Sequence, residues 1–308
     1  MWATAGAREA RAGGTIPAYV NAESGTAGPA IRTLERSPGF DIRLTAPEKL
    51  TVALRQAVLA GASRVLVAGG DGTIASAASV LAHTSTALAV LPGGTLNHFA
   101  RDQGIPGDLD EAVRVAVRGR VRPVDVGYLN DHLFLNTASV GAYVRFIQTR
   151  DRLEPSLGYW LASLVAGIRI LRVLRNIRVT LEAEGETRVY RAPLAFVAVG
   201  ERSLAPPGLG RLAGAPGGAL HVVVPRGRRQ ARRFARAYAR VDRGPAVESR
   251  PLGLDSALVQ RLRLDLPMAV AKVALDGEIR ALRTPLEFRL ERGALDLVVP
   301  EGDGQGPR

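Results

Sequence analysis

Gly69-Gly70-Asp71-Gly72-Thr73 stands directly after a short apolar run, Val-Leu-Val-Ala at 65–68. Three glycines within four positions let a backbone turn sharply and approach a ligand closely. A helix opening after such a turn presents N–H groups without intrahelical partners and a partial positive charge, a seat for phosphate. A carboxylate among those donors makes sense if it holds Mg²⁺, so Asp71 is the candidate metal ligand. Thr73 either caps the helix or bonds a phosphate oxygen. The plainer alternative is an Asp-Gly turn between strand and helix. A second loop, Pro92-Gly93-Gly94-Thr95-Leu96-Asn97, follows the run ALAVL, and a third, Asn21-Ala22-Glu23-Ser24-Gly25, follows TIPAYV. Far downstream, Asp276-Gly277-Glu278 places two carboxylates two residues apart. On an extended strand both face one side, and a shared setting raises the proton affinity of one of them, which suits a general base. A solvated Asp-Gly turn is the alternative there.

These residues need elements that bring them together, and the first third of the chain alternates strand and helix patterns. Short apolar runs at 15–20, 65–68 and 87–91 read as strands, and the spacing at 50–60, 74–82 and 108–118 predicts helices. Asp108 and Glu111 match an N-terminal capping pattern. Such alternation implies a parallel sheet with helices on both faces. Ligands bind such sheets at the carboxyl ends of the strands, where all three glycine loops leave. After about residue 122 short strand patterns follow one another, with helix patterns only at 159–175 and 229–241. That predicts an antiparallel β-sandwich. The expected organisation is therefore α/β plus all-β: an open parallel nucleotide-binding domain over 15–122, a sandwich over 123–291 and a disordered tail over 301–308.

Composition narrows the chemistry. The 308 residues suit about two domains. There is no cysteine, which excludes disulfides, thiol nucleophiles, zinc knuckles and iron–sulfur ligation. The four histidines, His83, His98, His132 and His221, form no His-x-x-x-His pair. Lys+Arg exceeds Asp+Glu by 41 to 29, for a net charge of +12, and Lys49 and Lys272 are the only lysines. Arginine enrichment reflects either genomic base composition or a partner. Neither lysine follows a glycine loop, so the G-x-x-x-x-G-K-[ST] phosphate loop is absent. No targeting segment is visible, and the longest apolar stretch, 159–168, is well short of the roughly 20 residues that span a bilayer.

GGDGT followed by LPGGTLNHFA resembles the diacylglycerol kinase catalytic domain superfamily: soluble bacterial diacylglycerol kinases, YegS-like lipid kinases, and sphingosine and ceramide kinases. NAESG matches its N-P-x-S-G, and Thr45 lies where a nucleotide-contacting threonine follows the second strand. Asp125-Val126-Gly127 opens the second domain, Asn136 to Gly141 matches N-x-x-S-x-G, and Asp276-Gly277-Glu278 matches the late D-G-E. The likeness runs from about residue 15 to 300.

The resemblance implies an ATP-binding α/β domain, as in NAD kinase and the diacylglycerol kinases, completed by a final strand at about 292–300, and a lipid-binding sandwich. It implies a phosphotransferase with an alcohol acceptor: an ATP- and Mg²⁺-dependent lipid kinase acting on diacylglycerol or a sphingoid-like lipid. The alternatives are an inactive nucleotide- or lipid-binding relative, or a kinase of a soluble substrate as in NAD kinase. The implied nucleotide-binding residues are Asn21, Ser24, Gly25, Thr45, Gly69, Gly70, Asp71, Gly72, Thr73, Gly93, Gly94, Thr95 and Asn97. Asp276 and Glu278 are the implied proton-acceptor pair. The chain also departs from the pattern. Ile74-Ala75-Ser76 replaces x-Asn-Glu after GGDGT, and Ala22 replaces the proline of N-P-x-S-G. Where the family has D-D-G-x-L-D, with an aspartate for a structural Mg²⁺, Gly217 and His221 stand in place of acids. Backbone carbonyls near Gly214 and Ala219 remain there.

Three lesser features have more than one reading. Leu161, Leu164, Val165 and Ile168 at helical spacing predict a core-facing helix rather than a lipid-gating one. Asn136 and Ser139 line a cleft or satisfy a turn. From Arg226 to Arg243 the sequence RGRRQARRFARAYARVDR predicts a helix with one basic face. That face suits an anionic membrane surface or is simply solvated. Nucleic acid is not expected, because no aromatic residues interleave on the basic face. A homodimer is left open, and the expected location is cytoplasmic, with a peripheral place at the membrane as the alternative.

Overall fold

The computed structural model describes residues 15–172, 175–183, 185–203, 212–213, 217–225, 229 and 255–301. The basic segment from Arg226 to Arg243, apart from Arg229, and the tail at 302–308 lie outside the described residues. The chain divides into two compact units: residues 1–125 with 292–308, and residues 126–291.

The first unit holds β1 (Ile16–Asn21), α1 (Ala27–Glu35), β2 (Phe40–Thr45), α2 (Pro47–Leu59), β3 (Arg64–Gly69), α3 (Asp71–Leu81), β4 (Ala87–Pro92), α4 (His98–Asp102) and α5 (Leu109–Arg118). Its sheet runs β2-β1-β3-β4 with every pairing parallel. All residues of β3 and β4 are buried. Their unbroken Val/Leu/Ala runs have no polar face because both sides are covered, as parallel strands require. Helix α2 opens on a proline in its first turn, where the missing N–H costs nothing. Asp108 caps α5 by accepting from the Glu111 N–H at 2.9 Å. The far end of α5 is closed from β3. The buried Arg64 guanidinium donates to the carbonyls of Ala116, Val117 and Gly119, which otherwise have no helical partner. Burial pushes this arginine below its ordinary basicity.

The strand β5 (Arg120–Leu129) leads into the second unit. There follow β6 (His132–Phe134), β7 (Thr137–Gly141), α6 (Ala142–Arg172), β8 (Ile177–Ala183), β9 (Glu186–Ala192), β10 (Leu194–Val199), β11 (Leu220–Val224), β12 (Asp255–Val259), β13 (Arg261–Asp265), β14 (Val270–Leu275), β15 (Glu278–Arg283) and β16 (Leu286–Val299). One sheet has the order β12-β11-β10-β7-β14-β15, and a second is built on β9-β8-β13-β16. Pairings are antiparallel throughout. Their inner faces share one core, in which Val140, Val197, Val222 and Val273 meet Val179, Leu264, Leu286 and Phe288. This is the sandwich that alternating apolar residues build. The far end of β16 returns to the first unit, where Leu297 pairs in parallel with Leu88 of β4. There the Gly293 N–H donates to the Asp125 carboxylate at 2.8 Å.

Two helical expectations are corrected. The helix after GGDGT begins at Asp71, so Asp71, Gly72 and Thr73 form its first turn rather than a loop before it. The helix expected at 159–175 is the second half of α6, which starts at Ala142 and breaks at Gly158 (φ 69°, ψ 163°). Its Leu161, Leu164 and Ile168 are exposed at 48%, 48% and 43%, not core-facing. The buried positions are Ala162 and Ala166.

Candidate functional site

The three glycine loops leave the carboxyl ends of β1, β3 and β4, which are neighbours in the sheet. The structure laces them together. The Asn21 amide donates to the Thr73 hydroxyl at 3.0 Å, while its carbonyl oxygen accepts from the Glu23 N–H. The hydroxyls of Ser24 and Thr26 both donate to the Gly93 carbonyl, at 3.0 and 2.9 Å. The Gly93 N–H donates to the Gly69 carbonyl at 2.9 Å. Asn97, at φ 48°, closes its own loop: its side chain accepts from the Gly94 N–H at 2.8 Å and donates to the Gly94 carbonyl at 2.7 Å.

The glycines serve contact rather than unusual torsion. Gly69, Gly70, Gly93 and Gly94 all have ordinary φ. A Cβ on Gly94 would lie 2.7 Å from the Gly70 Cα, and one on Gly93 would lie 2.6 Å from the Thr26 hydroxyl oxygen and 3.2 Å from the Gly69 Cα. The loops that follow β3 and β4 therefore pack backbone on backbone, and only glycine allows it. The same absence of side chains leaves the opening of α3 bare. Ile74 donates back to Gly70, as the first regular helical bond, so the N–H groups of Asp71, Gly72 and Thr73 are the donors that a helix start leaves over.

Asp71 bridges two loops. Its carboxylate accepts from the backbone N–H groups of His98 and Phe99, at 3.1 and 3.2 Å. It thus caps α4, a helix that has no side-chain cap of its own. Two donors leave lone pairs on a partly buried carboxylate. One such carboxylate, with water and substrate phosphates, is enough for Mg²⁺, so Asp71 fits the ion. Among the described residues no cluster of three or more His, Asp and Glu side chains could hold a metal unaided. Thr95 is exposed and Gly25 has open space around it. Thr45 is buried at the end of β2. Its hydroxyl donates to the Arg43 carbonyl on its own strand, and its carbonyl accepts from the Ala22 N–H. Thr26 was invisible to motif reading. The signal was there: a second hydroxyl two residues after Ser24, placed to share its acceptor.

In the second unit the D-G-E segment is a tight hairpin turn. Asp276 (φ 46°) and Gly277 (φ 94°) connect β14 to β15, and Leu275 pairs with Glu278. The expectation that both carboxylates project from one extended strand is therefore corrected, because Asp276 lies in the left-handed region. Its carboxylate accepts from the N–H groups of Leu135, Asn136 and Thr137 at 2.7, 2.8 and 2.9 Å. These donors fill the junction between β6 and β7. Glu278, by contrast, begins β15 with its side chain 55% exposed, near Arg280 at 3.3 Å. Asn136 and Ser139 are buried at 7% and 3%, and among the described residues the Asn136 side-chain carbonyl and Ser139 hydroxyl have no hydrogen-bond partner.

The place of the lost acids does not fit a divalent cation. His221, buried at 4%, accepts the Arg202 N–H on Nδ1 at 2.9 Å. Burial pushes its imidazole below the usual basicity, so it sits neutral. The guanidinium of Arg202, itself buried, donates to the Val199 carbonyl at 3.1 Å. The Arg202 guanidinium brings a positive charge to this corner, and among the described residues a single carboxylate, that of Glu201, lies near enough to act on His221. Residues 214–216 lie outside the described residues.

Residues 21–129 match the family model of the diacylglycerol kinase catalytic domain. The chain is 34% identical over 146 residues to a Cronobacter sakazakii protein named "Probable lipid kinase YegS-like", covering 46% of this chain and 48% of that one. It is 35% identical over 140 residues to a diacylglycerol kinase of Bacillus subtilis, covering 44% and 46%. It thus spans about half the length of the curated relatives it matches. A solved diacylglycerol kinase structure from Bacillus anthracis superposes with a TM-score of 0.68 at 19% identity, covering 93% of this chain and 97% of that one. That likeness is one of fold.

Proposed function

On the premise that residues 21–129 belong to the diacylglycerol kinase catalytic domain family, we propose that the chain is an ATP-dependent lipid kinase. The observation that carries the reading is the lacing of three glycine loops around the bare start of α3. That surface offers backbone N–H donors and one anchored carboxylate, which is what positioning a triphosphate asks for. Asn21, Ser24, Thr26 and Asn97 hold the loops. Gly69, Gly70, Gly93 and Gly94 keep them close, and Thr95 and Gly25 face open space at the rim. Asp71 would hold Mg²⁺, which neutralises charge on the phosphates when bound.

The acceptor is a lipid hydroxyl. Its oxygen forms a bond to the γ-phosphorus, the bond from that phosphorus to the β-phosphate oxygen breaks, and ADP leaves. We assign the hydroxyl proton to Glu278 rather than Asp276. Three backbone donors already engage Asp276, and hydrogen bonds to a carboxylate favour its ionised form and weaken it as a base. Asp276 then acts as a positioning residue for the turn that presents Glu278. Diacylglycerol and a sphingoid base are the lipid classes proposed. No helix among the described residues is long and apolar enough to cross a membrane, and the proposed place is peripheral.

The test is transfer of radiolabel from ATP to a lipid panel, separated by thin-layer chromatography, alongside calorimetry of ATP binding. Labelled lipid with wild type and none with Asp71→Ala supports the reading. Nucleotide binding with no product from any lipid would leave the chain as an inactive relative, the outcome that the missing acids at 217 and 221 favour.

A further inference from the structure

The connection from β10 to β11 holds the corner where Gly217 and His221 stand in place of acids. Several groups that could ligate a cation there already carry a protein donor. A neutral imidazole has one nitrogen lone pair to offer, and that of His221, on Nδ1, takes the Arg202 N–H. The Ala219 carbonyl accepts from the Gly200 N–H, and the Gly218 carbonyl accepts from the Gln260 side-chain amide. The Val199 carbonyl accepts from the Arg202 guanidinium. Space is short as well. A Cβ on Gly200 would lie 2.8 Å from the Leu212 side chain and 3.2 Å from the Gly217 nitrogen.

The corner holds a cation of its own. Arg202 is 7% exposed, and a guanidinium carries its positive charge at every working pH. The backbone N–H of Arg202 ties it to β11 through His221, and its side chain ties it back to the end of β10 through Val199. A single antiparallel bridge pairs it with Leu212 in the connection between the two strands. One charged residue thereby joins three stretches of chain, which is the task of a structural ion. Glu201, the carboxylate that acts on His221, is exposed. From Val199 two further hydrogen bonds lead to the D-G-E turn. The Val199 N–H donates to the Asn136 carbonyl at 3.0 Å, and the Asn136 N–H donates to the Asp276 carboxylate at 2.8 Å.

We propose that Arg202 takes the place of a divalent cation in this corner and, through Val199 and Asn136, is a positioning residue for the turn that carries Asp276 and Glu278. The replacement of the cation concerns charge and metal alone. The positioning of Glu278 for transfer rests on the kinase reading, and the experiment keeps the two apart.

The full chain is treated with EDTA and titrated with Mg²⁺ or Ca²⁺ in the absence of nucleotide and lipid. Its melting temperature is expected to stay where EDTA leaves it. Arg202→Gln, which removes the charge and keeps a donor, should melt several degrees lower, and Arg202→Lys should recover most of that loss. The double variant Arg202→Ala, His221→Asp removes the internal charge and returns an acid. Millimolar Mg²⁺ or Ca²⁺ should raise its melting temperature, while neither single variant responds. Positioning is read by amide hydrogen exchange. In Arg202→Gln the N–H groups of 135–137 should lose protection while those of the β8–β9 hairpin keep theirs, a split that uniform destabilisation does not give. Assayed well below its melting temperature, the same variant should show kcat lowered by roughly 10–100-fold with the KM for ATP within a few-fold, and Arg202→Lys should restore it. A wild type without transferase activity would fail the kinase reading alone, since the metal and exchange results need no turnover. A wild-type melting temperature that rises with Mg²⁺ or Ca²⁺, and still does so in Asp71→Ala, would overturn the proposal. So would an Arg202→Gln protein with unchanged stability and unchanged exchange at 135–137. Both results decide the matter even where the double variant does not fold.

Discussion

Asp71 in the first unit and Asp276 in the second each precede a glycine, and each carboxylate accepts backbone N–H groups from a segment distant in sequence. Their settings differ. Asp71 takes one donor on each oxygen, from the start of a five-residue helix, and stands among glycines packed backbone to backbone. Asp276 takes three donors while its own backbone sits in the left-handed region of a hairpin turn. The first arrangement positions an acid and keeps acceptor capacity for a ligand. The second spends that capacity on the fold and passes the chemistry to the neighbour two residues on. A D-G pair in a sequence is therefore not one signal but two, and the donors around the carboxylate decide which.

The sharpest way to break this comparison is to remove each acid in turn. Asp71→Ala is expected to abolish measurable phosphoryl transfer, a loss above the roughly 100-fold typical of one electrostatic group, while the fold persists with a lower melting temperature, since the lost cap on α4 costs about 1 kcal/mol. Next in size is Glu278→Gln, expected to lower turnover by about 10²–10⁴-fold while ATP affinity by calorimetry stays within a few-fold. Asp276→Ala should behave as a stability variant. Three N–H groups lose their acceptor, at about 1–3 kcal/mol for each one left buried, so the expected loss is about 3 kcal/mol or more in denaturant unfolding. An Asp276→Ala protein that keeps its stability but not its turnover would return the base to Asp276.

These outcomes bear on how far the sequence could be read. The parallel unit was legible because β3 and β4 are unbroken apolar runs bounded by glycine, and because Asp108 and Glu111 spell a cap that the structure makes. Motif spacing likewise brought Asn21, Asp71 and Asn97 together, since each loop follows a neighbouring strand. What stayed hidden were contacts between segments. Nothing local says that Asp71 caps a helix starting at His98, that Thr26 shares the Gly93 carbonyl with Ser24, or that three N–H groups at 135–137 surround Asp276. The face of α6 misled for a related reason. Periodicity locates an apolar stripe but not its direction, and only the burial of Ala162 and Ala166 shows that the large residues point outward.

A smaller effect tests the glycine packing that distinguishes the Asp71 setting. Gly94→Ala places a methyl 2.7 Å from the Gly70 Cα, a backbone atom with nowhere to go. Overpacking of this kind costs about 1–3 kcal/mol. The variant should fold, melt several degrees lower, and no longer gain stability from ATP in a thermal shift assay. If ATP still raises its melting temperature by the wild-type amount, the loop contact is structural only and the nucleotide surface lies elsewhere.

The smallest expected effect concerns the corner where acids have given way to Arg202 and His221. His221 is buried and neutral, and burial lowers its proton affinity below that of the unfolded chain, where histidine titrates near 6.5. Above about pH 6.5 the residue is neutral in both states, and its contribution to stability is constant. As pH falls below that value the unfolded chain takes up the proton first, so folding is disfavoured progressively until the lower folded-state value is reached. Asparagine at this position can still accept the Arg202 N–H through its side-chain oxygen but does not titrate. The difference in melting temperature between wild type and His221→Asn should therefore be flat from pH 8 to about 6.5 and shift against wild type from there toward pH 5. Mg²⁺ without nucleotide should leave both curves unmoved, since the fixed charge of Arg202 stands in this corner. A Mg²⁺-dependent rise in wild type that vanishes in His221→Asn would mean that a cation binds there after all, and that the neutral imidazole is its ligand rather than a partner of the backbone.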